Sequence, residues 1–254
     1  MKKIIFLGLI SFLLAALWLL PLPIAKPYLE KMIPGLSMGE TNGTLWEGQA
    51  NNLTINKINL EQVSWKVAPL KSLSTLALKS SFTIKGDKIN AHGMAGLRPD
   101  RSLLLDNTQL EISTDLINQQ QRRVKLAGDI QASIKHARIK HPLLPVIDGE
   151  VDWKNGAINS PVKLPAGDYH TVITPTDTGL LMDLSAKDAP MELKGNITLN
   201  NEWQYKTNLS IQPKDKGLGS MLGLVGKKQA NGNILIQQRG DLSPFVNGVT
   251  PKGK

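Results

Sequence analysis

The chain has 254 residues, a formal charge of +9 at neutral pH and no cysteine. That length allows one or two folded domains with real cores. The missing cysteines exclude disulfides, thiolate metal sites and cysteine nucleophiles, so an exported domain would be held by packing alone.

The positive excess suits an anionic membrane surface, an acidic partner or simply a solvated basic surface. No run of five basic residues occurs. The densest patches are Arg122-Arg123 with Lys125, the stretch Lys135 to Lys140, and the tail Lys252-Gly253-Lys254.

Residues 4–25, IIFLGLISFLLAALWLLPLPIA, carry no charge. As a helix they would extend about 33 Å, enough for a bilayer core of about 30 Å. Lys2 and Lys3 precede the run, and the positive-inside bias puts residues 1–3 in the cytoplasm with the bulk on the far side. A cleavable signal peptide is the rival. Its apolar region is about 7 to 15 residues long, whereas Ile4 to Leu20 is unbroken, and the best cleavage site, Pro23-Ile24-Ala25, has proline where a small residue belongs. The expectation is an uncleaved single-pass anchor, with the body of the chain on the far side of the membrane. Nucleic acid is then excluded as a partner.

KPYLEKMIP continues as a short helix, with Pro27 in its first turn and Pro34-Gly35 stopping it. From there short alternating stretches are separated by Gly, Asn, Asp and Pro, the pattern of strands and turns. The clearest strands are 53–58, 63–67, 82–84, 103–105, 110–112, 124–134, 151–153, 170–173, 180–184, 193–199, 205–211 and 234–238. Turns are expected at Gly86-Asp87, Pro99-Asp100, Asp106-Asn107, Asn155-Gly156, Asp177–Gly179, Asn200-Asn201 and Asn231-Gly232. This describes an antiparallel meander. Two places depart from it. A helical turn can begin at Pro69. Leu218, Met221, Leu222 and Val225 share one face of a short helix. The segment 141–145, bounded by His141-Pro142 and Pro145, is the one divide, giving β halves over 26–145 and 146–254. The halves share a box, Gly43-Thr-Leu-Trp-Glu-Gly48 and Gly149-Glu-Val-Asp-Trp-Lys-Asn-Gly156, read as one tryptophan-bearing hairpin each. Trp46, Trp65, Trp153 and Trp203 are expected to pack on strands.

Little in the chain carries chemistry. His92, His136, His141 and His170 have no ligand spacing, and His136 and His141 stand among basic residues. No G-x-S-x-G elbow occurs. The glycines of 217–223 match neither the phosphate-loop nor the dinucleotide pattern. The sequons at Asn42, Asn52, Asn196 and Asn208 read as chance matches. No catalytic, cofactor-binding or metal-ligating residue is expected, and no cofactor.

The ordered punctuation is more specific than any single motif: GTLWEGQANNL at 43–53, LEQVSWKVAPLKSL at 60–73, GEVDWKNGAINSPVKLPAGDY at 149–169, LKGNITLNNEWQYKTNLSIQP at 193–213 and LGSMLGLVGKKQANGNILIQQRGDL at 218–242. In this order the chain resembles the type II secretion system protein N family, over nearly its whole length and most clearly outside 80–145. The resemblance implies an accessory inner-membrane component of a bacterial protein-export machine. It implies one N-terminal transmembrane segment, a periplasmic domain and no catalytic residues. The boxes also resemble the β modules of the AsmA-like group, which implies a long antiparallel sheet, curled around an apolar groove.

The expected fold is therefore mainly β: a transmembrane helix, then an elongated, twisted antiparallel sheet with one or two short helices. The expected function is a non-enzymatic scaffold that contacts other type II secretion components, the inner-membrane platform or the secretin, as well as inner-membrane lipid. Lys135 to Lys140 and Arg122-Arg123 are the candidate contact charges. The alternative is an envelope protein that binds or bridges lipid in a β groove, lined by alternate residues of 103–105, 124–134, 180–184 and 193–199. An exported hydrolase would need a convergent polar cluster that the sequence does not supply. Self-association is left open.

Overall fold

The computed structural model describes residues 2–69, 72, 76–120, 124–160 and 163–246. Two compact units divide the chain, Met1–Ala95 and Gly96–Lys254.

The first unit opens with α1 (Lys2–Trp18), apolar around its whole circumference. The helix expected over 4–25 is divided. Proline lacks the N–H a helix needs and disfavours helical backbone in the residue before it. Pro21 accordingly stands outside α1, as the N-cap of α2 (Leu22–Met32). Among the described residues no helix is long and apolar enough to cross a membrane. Because α2 begins at Leu22, Pro27 falls in its interior rather than its first turn.

Strands β1 (Leu36–Ser37), β4 (Thr54–Ile55) and β5 (Ile58–Asn59) form a small sheet in the order β1-β4-β5. The strand expected over 53–58 is thus a hairpin. Asn56 and Lys57 both take positive φ, 48° and 73°, as a tight two-residue reversal demands. A larger sheet has the order β2-β3-β6-β7-β8, from β2 (Thr41–Gly43), β3 (Glu47–Asn51), β6 (Gln62–Val67), β7 (Leu78–Lys85) and β8 (Ile89–Leu97). Its core gathers Leu36, Met38, Ala50 and Leu53 beneath Leu29, Leu60, Val63 and Trp65. The Glu30 carboxylate accepts from the Met38 amide at 2.7 Å, tying α2 to this core. The helical turn expected from Pro69 lies mostly outside the described residues.

The second unit is an antiparallel meander: β9 (Leu103–Ser113), β10 (Lys125–Ile139), β11 (Val146–Ser160), β12 (Leu164–Thr176), β13 (Gly179–Lys187), β14 (Met191–Asn200) and β15 (Gln204–Pro213). Beyond β15 lies β17 (Ile234–Asp241), and the two-residue β16 (Lys227–Lys228) pairs with β17. Three short helices interrupt it, α3 (Thr114–Gln120), α4 (Lys216–Leu222) and α5 (Ser243–Val246). The segment 141–145 joins β10 to β11, which are neighbours in this sheet.

Two expected turns fall inside strands. Asp106-Asn107 lies within β9, where Asn107 has φ 45° and the pairing to β10 skips one position. Asn155-Gly156 lies within β11 at a bulge. Asn155 takes φ 48° and faces a second irregularity at Gly128, φ 94°. A side chain at Gly128 would stand 2.3 Å from the Lys154 carbonyl oxygen, so the bulge needs glycine there. Asparagine and glycine supply left-handed backbone for bulges as readily as for turns.

The two boxes therefore differ. The first is a hairpin, β2–β3, with Trp46 in its turn; the second is one bulged strand. What they share is a ring laid on a glycine. Trp65 stands opposite Gly48, and its indole N–H donates to the Leu45 carbonyl at 2.9 Å. Trp153 covers Gly156 and donates to the Ala127 carbonyl at 3.0 Å. Trp65 and Trp153 are half-buried on the sheets. Trp203 instead sits in the β14–β15 connection, donating to the Pro142 carbonyl at 3.1 Å.

Candidate functional site

The register of the second unit sorts its side chains onto two unlike faces. Directly paired residues share a face, and neighbours along a strand alternate. One row across eight strands reads Leu110, Ala132, Val151, Thr171, Leu184, Gly195, Leu209, Ile236. The adjacent row, on the other face, reads Glu111, Gln131, Asp152, His170, Ser185, Lys194, Ser210, Leu235. An apolar face and a polar face are thus separated by single-residue alternation, the arrangement of an antiparallel sheet with one side kept from water.

α4 lies over one end of the apolar face. Its N-cap Asp215 accepts from the Leu218 amide at 2.9 Å, and Leu218 and Leu222 are buried against Met191, Leu193, Ile211 and Ile234. Along the rest of that face runs a cavity of about 540 Å³. It is walled by residues from Ile130 on β10 to Ile236 on β17, with Trp153, Tyr169, Leu184 and Met221 between. At about 4.8 Å per strand those limits are roughly 29 Å apart along a flat sheet. The rings of Trp153 and Tyr169 lie 5.6 Å apart, and burial raises the Tyr169 phenol above its ordinary pKa. Past α4 a second cavity of about 500 Å³ shares Ile158, Leu164 and Met221 with the first and adds Lys163 and Asp215. The apolar groove therefore reaches a mouth bearing one cation and one anion.

Of the stretches expected to line a groove, 124–134, 180–184 and 193–199 each give this one a single residue, Ile130, Leu184 and Leu193, and 103–105 gives none. The groove also takes Val151 and Trp153 from β11, Leu209 and Ile211 from β15, and α4. The alternation of 205–211 was a usable signal for β15. For β11 the signal was hidden because Asn155-Gly156 reads as a turn.

The polar face is cross-linked by charge. Lys154 meets Asp168 at 3.0 Å and His170 meets Asp152 at 3.0 Å. The Asn155 amide, and after it the Lys154 ammonium, hold the Asp168 carboxyl below the usual carboxylate range.

The candidate contact charges are largely matched. Lys135 lies 3.9 Å from Glu150 and His136 is 2.7 Å from Asp106. Arg138 and Lys140 both reach Asp100, at 3.0 and 3.3 Å. Hydrogen bonds from the Ser102 hydroxyl and amide, then the two cations, hold Asp100 well below the usual range. Lys135, Arg138 and Lys140 thus each lie within 4 Å of an acid of a neighbouring segment, the last two sharing Asp100, and His136 is hydrogen-bonded to Asp106. Arg122, Arg123 and the tail from Lys252 lie outside the described residues. Among the described residues no three metal-ligating side chains converge.

Residues 34–237 match the family described as Type II secretion system (T2SS), protein N. Curated relatives of that description align over most of their length. The Vibrio cholerae serotype O1 protein is 21% identical over 257 residues, covering 95% of this chain and 96% of its own. The Klebsiella pneumoniae protein is 21% identical over 250 residues, covering 95% and 97%. The Aeromonas hydrophila protein is 22% identical over 217 residues, covering 78% and 82%. No solved structure matches. With the match reaching through the strands of both units, the chain belongs to the type II secretion system protein N family.

Proposed function

We propose that the protein is a non-enzymatic scaffold of the type II secretion apparatus, anchored in the inner membrane by its N-terminal apolar run, with the chain beyond that run in the periplasm in contact with other components of the machine. The family match over 34–237 carries this reading, because it takes in the strands of both units rather than one motif. The anchor draws support from α1, where Ile5, Phe6, Leu7, Leu9 and Phe12 are all more than half exposed. A helix apolar all round is at ease in lipid and poorly solvated in water. The inner-membrane platform and the secretin are the partners proposed. Deleting the protein is expected to leave secreted proteins in the periplasm or the apparatus incompletely assembled. Unchanged secretion together with unchanged assembly, where the protein is normally expressed, would refute the reading.

The apolar groove favours a second reading, a lipid-binding role in the envelope. Its volume falls in the range of small-molecule sites, and each buried methylene of an acyl chain contributes about 0.8 kcal/mol. Lipid extracted from the purified protein and identified by mass spectrometry is the test. The expected result is stoichiometric lipid that is lost on Leu184→Arg. Lipid present in equal amount in that variant would place it outside the groove.

A further inference from the structure

The meander ends on an incompletely covered strand. β15 pairs with β17 along the whole of Gln204–Ile211, but on its other side, among the described residues, β17 meets only β16, at Ile234 and Leu235. Among the described residues no strand pairs with that side of β17 from Gln237 to Asp241. Two lysines on a two-residue edge strand are a common guard against unwanted pairing, and here the guard stops short of this stretch.

The open stretch is chemically two-sided. On the polar face Lys206 stands directly beside Arg239, and both are exposed. Lys227 and Lys228 are exposed further along the same edge, opposite Leu235 and Ile234, and the nearby Asp241 is engaged by Ser243. On the apolar face Tyr205 is paired with Gly240, its ring lying where a glycine side chain would be. On the polar face the edge borders a cavity of about 820 Å³ lined by Leu181, Thr198, Lys206 and Arg239 and reaching Asp241.

We propose that Gln237–Asp241 accepts an added β-strand from a partner protein: an extended segment alternating apolar with acidic side chains. The backbone of the incoming strand satisfies the open edge. Its acidic side chains lie beside Arg239 and Lys206 at that cavity, and its apolar ones turn to the other face, beside Gly240 and the Tyr205 ring. A second copy of this chain fits less well, since it would bring its own Lys206 and Arg239 to a cationic edge. The proposal rests on the scaffold reading and names the surface and partner chemistry of that role.

The test uses the full-length protein in detergent micelles and a short fluorescent peptide alternating glutamate with valine and tyrosine, with its lysine counterpart as control. The acidic peptide is expected to bind and to slow amide exchange within 237–241 about tenfold, leaving β11 unchanged. Arg239→Glu should weaken it at least about fivefold and favour the lysine peptide, while Arg239→Lys retains binding. The proposal is overturned by unslowed exchange, by edge amides already as slow in the free protein as those of β14, or by cross-links at Gln237 joining two copies. Photoreactive residues at Gln237 and Thr198 in cells separate it from the broader reading. Adducts to secretion components from Thr198 but not Gln237 sink the edge and keep the scaffold. Adducts to none of them from either position, with peptide binding intact, sink the scaffold and keep the edge as a peptide-binding site.

Discussion

Gly156 and Trp153 are expected to be energetically inseparable. A methyl group at Gly156 would stand 2.4 Å from the Trp153 ring, far inside contact distance. Gly156 has no positive φ, so alanine meets no backbone strain there. The ring cannot swing aside freely, because its N–H is held by the Ala127 carbonyl at 3.0 Å. Gly156→Ala should therefore destabilise by about 2 kcal/mol, the range for overpacking. Trp153→Ala should cost about 3 kcal/mol, at the low end for a large aromatic because the ring is half-buried. With the ring gone its three nearest contacts are removed and the alanine gains the backbone advantage over glycine, about 0.5–1 kcal/mol. The double variant should thus be more stable than Trp153→Ala alone, a coupling of roughly 2–3 kcal/mol. Urea unfolding followed by far-ultraviolet circular dichroism measures all four corners of the cycle. Additivity within about 0.5 kcal/mol would show that the ring does not rest on Gly156.

Three further outcomes can be checked independently. Asp168 is held below its ordinary pKa, so its stabilisation is present above about pH 4 and is lost as the pH falls through the lowered folded value; Asp168→Asn should flatten the acid limb of a plot of Tm against pH. Asp215→Ala removes the cap of α4 and should cost about 1 kcal/mol, seen as faster hydrogen exchange over 216–222 with β12–β14 unchanged. Glu47→Gln should change stability by less than about 0.5 kcal/mol in chemical denaturation, since both partners of its ion pair with Lys66 are 65% exposed.

How far the fold could be read from the sequence depended on what each turn residue was doing. Asp177-Thr178 between Thr176 and Gly179, and Asn200-Asn201 after Leu199, close real hairpins, and the alternation gave β14 and β15 most of their extents but only 170–173 of β12 and 180–184 of β13. Asn155 and Asn107 carry the same left-handed backbone without reversing the chain. Composition reports that such a residue is tolerated, whereas its cross-strand partner, Gly128 in one case, decides whether the strand turns or bulges. The apolar face was legible because alternation is local. The pairing of Lys135–Lys140 with Asp100, Asp106 and Glu150 was not, because those acids reach β10 only through sheet register. The helix at 218–225 was visible from its spacing, but its place over Met191 and Ile234 depends on contacts distant in the chain.

From β9 to β15 every strand lies beside the one made just before it. Each pairing closes a short loop, and short loops carry the smallest entropy cost and favour fast folding. Such a sheet can grow by accretion as the chain emerges N-terminus first from a ribosome or a translocation channel. Each strand docks on its predecessor before the next appears, so only the newest edge waits unpaired, which limits aggregation during synthesis. The order breaks once, at the end, where β17 passes over β16 to reach β15. That last step cannot begin until Ile234, which pairs with Ile211, has emerged and cannot finish before Asp241, so C-terminal truncations before β17 should leave a nearly complete sheet ending on β15.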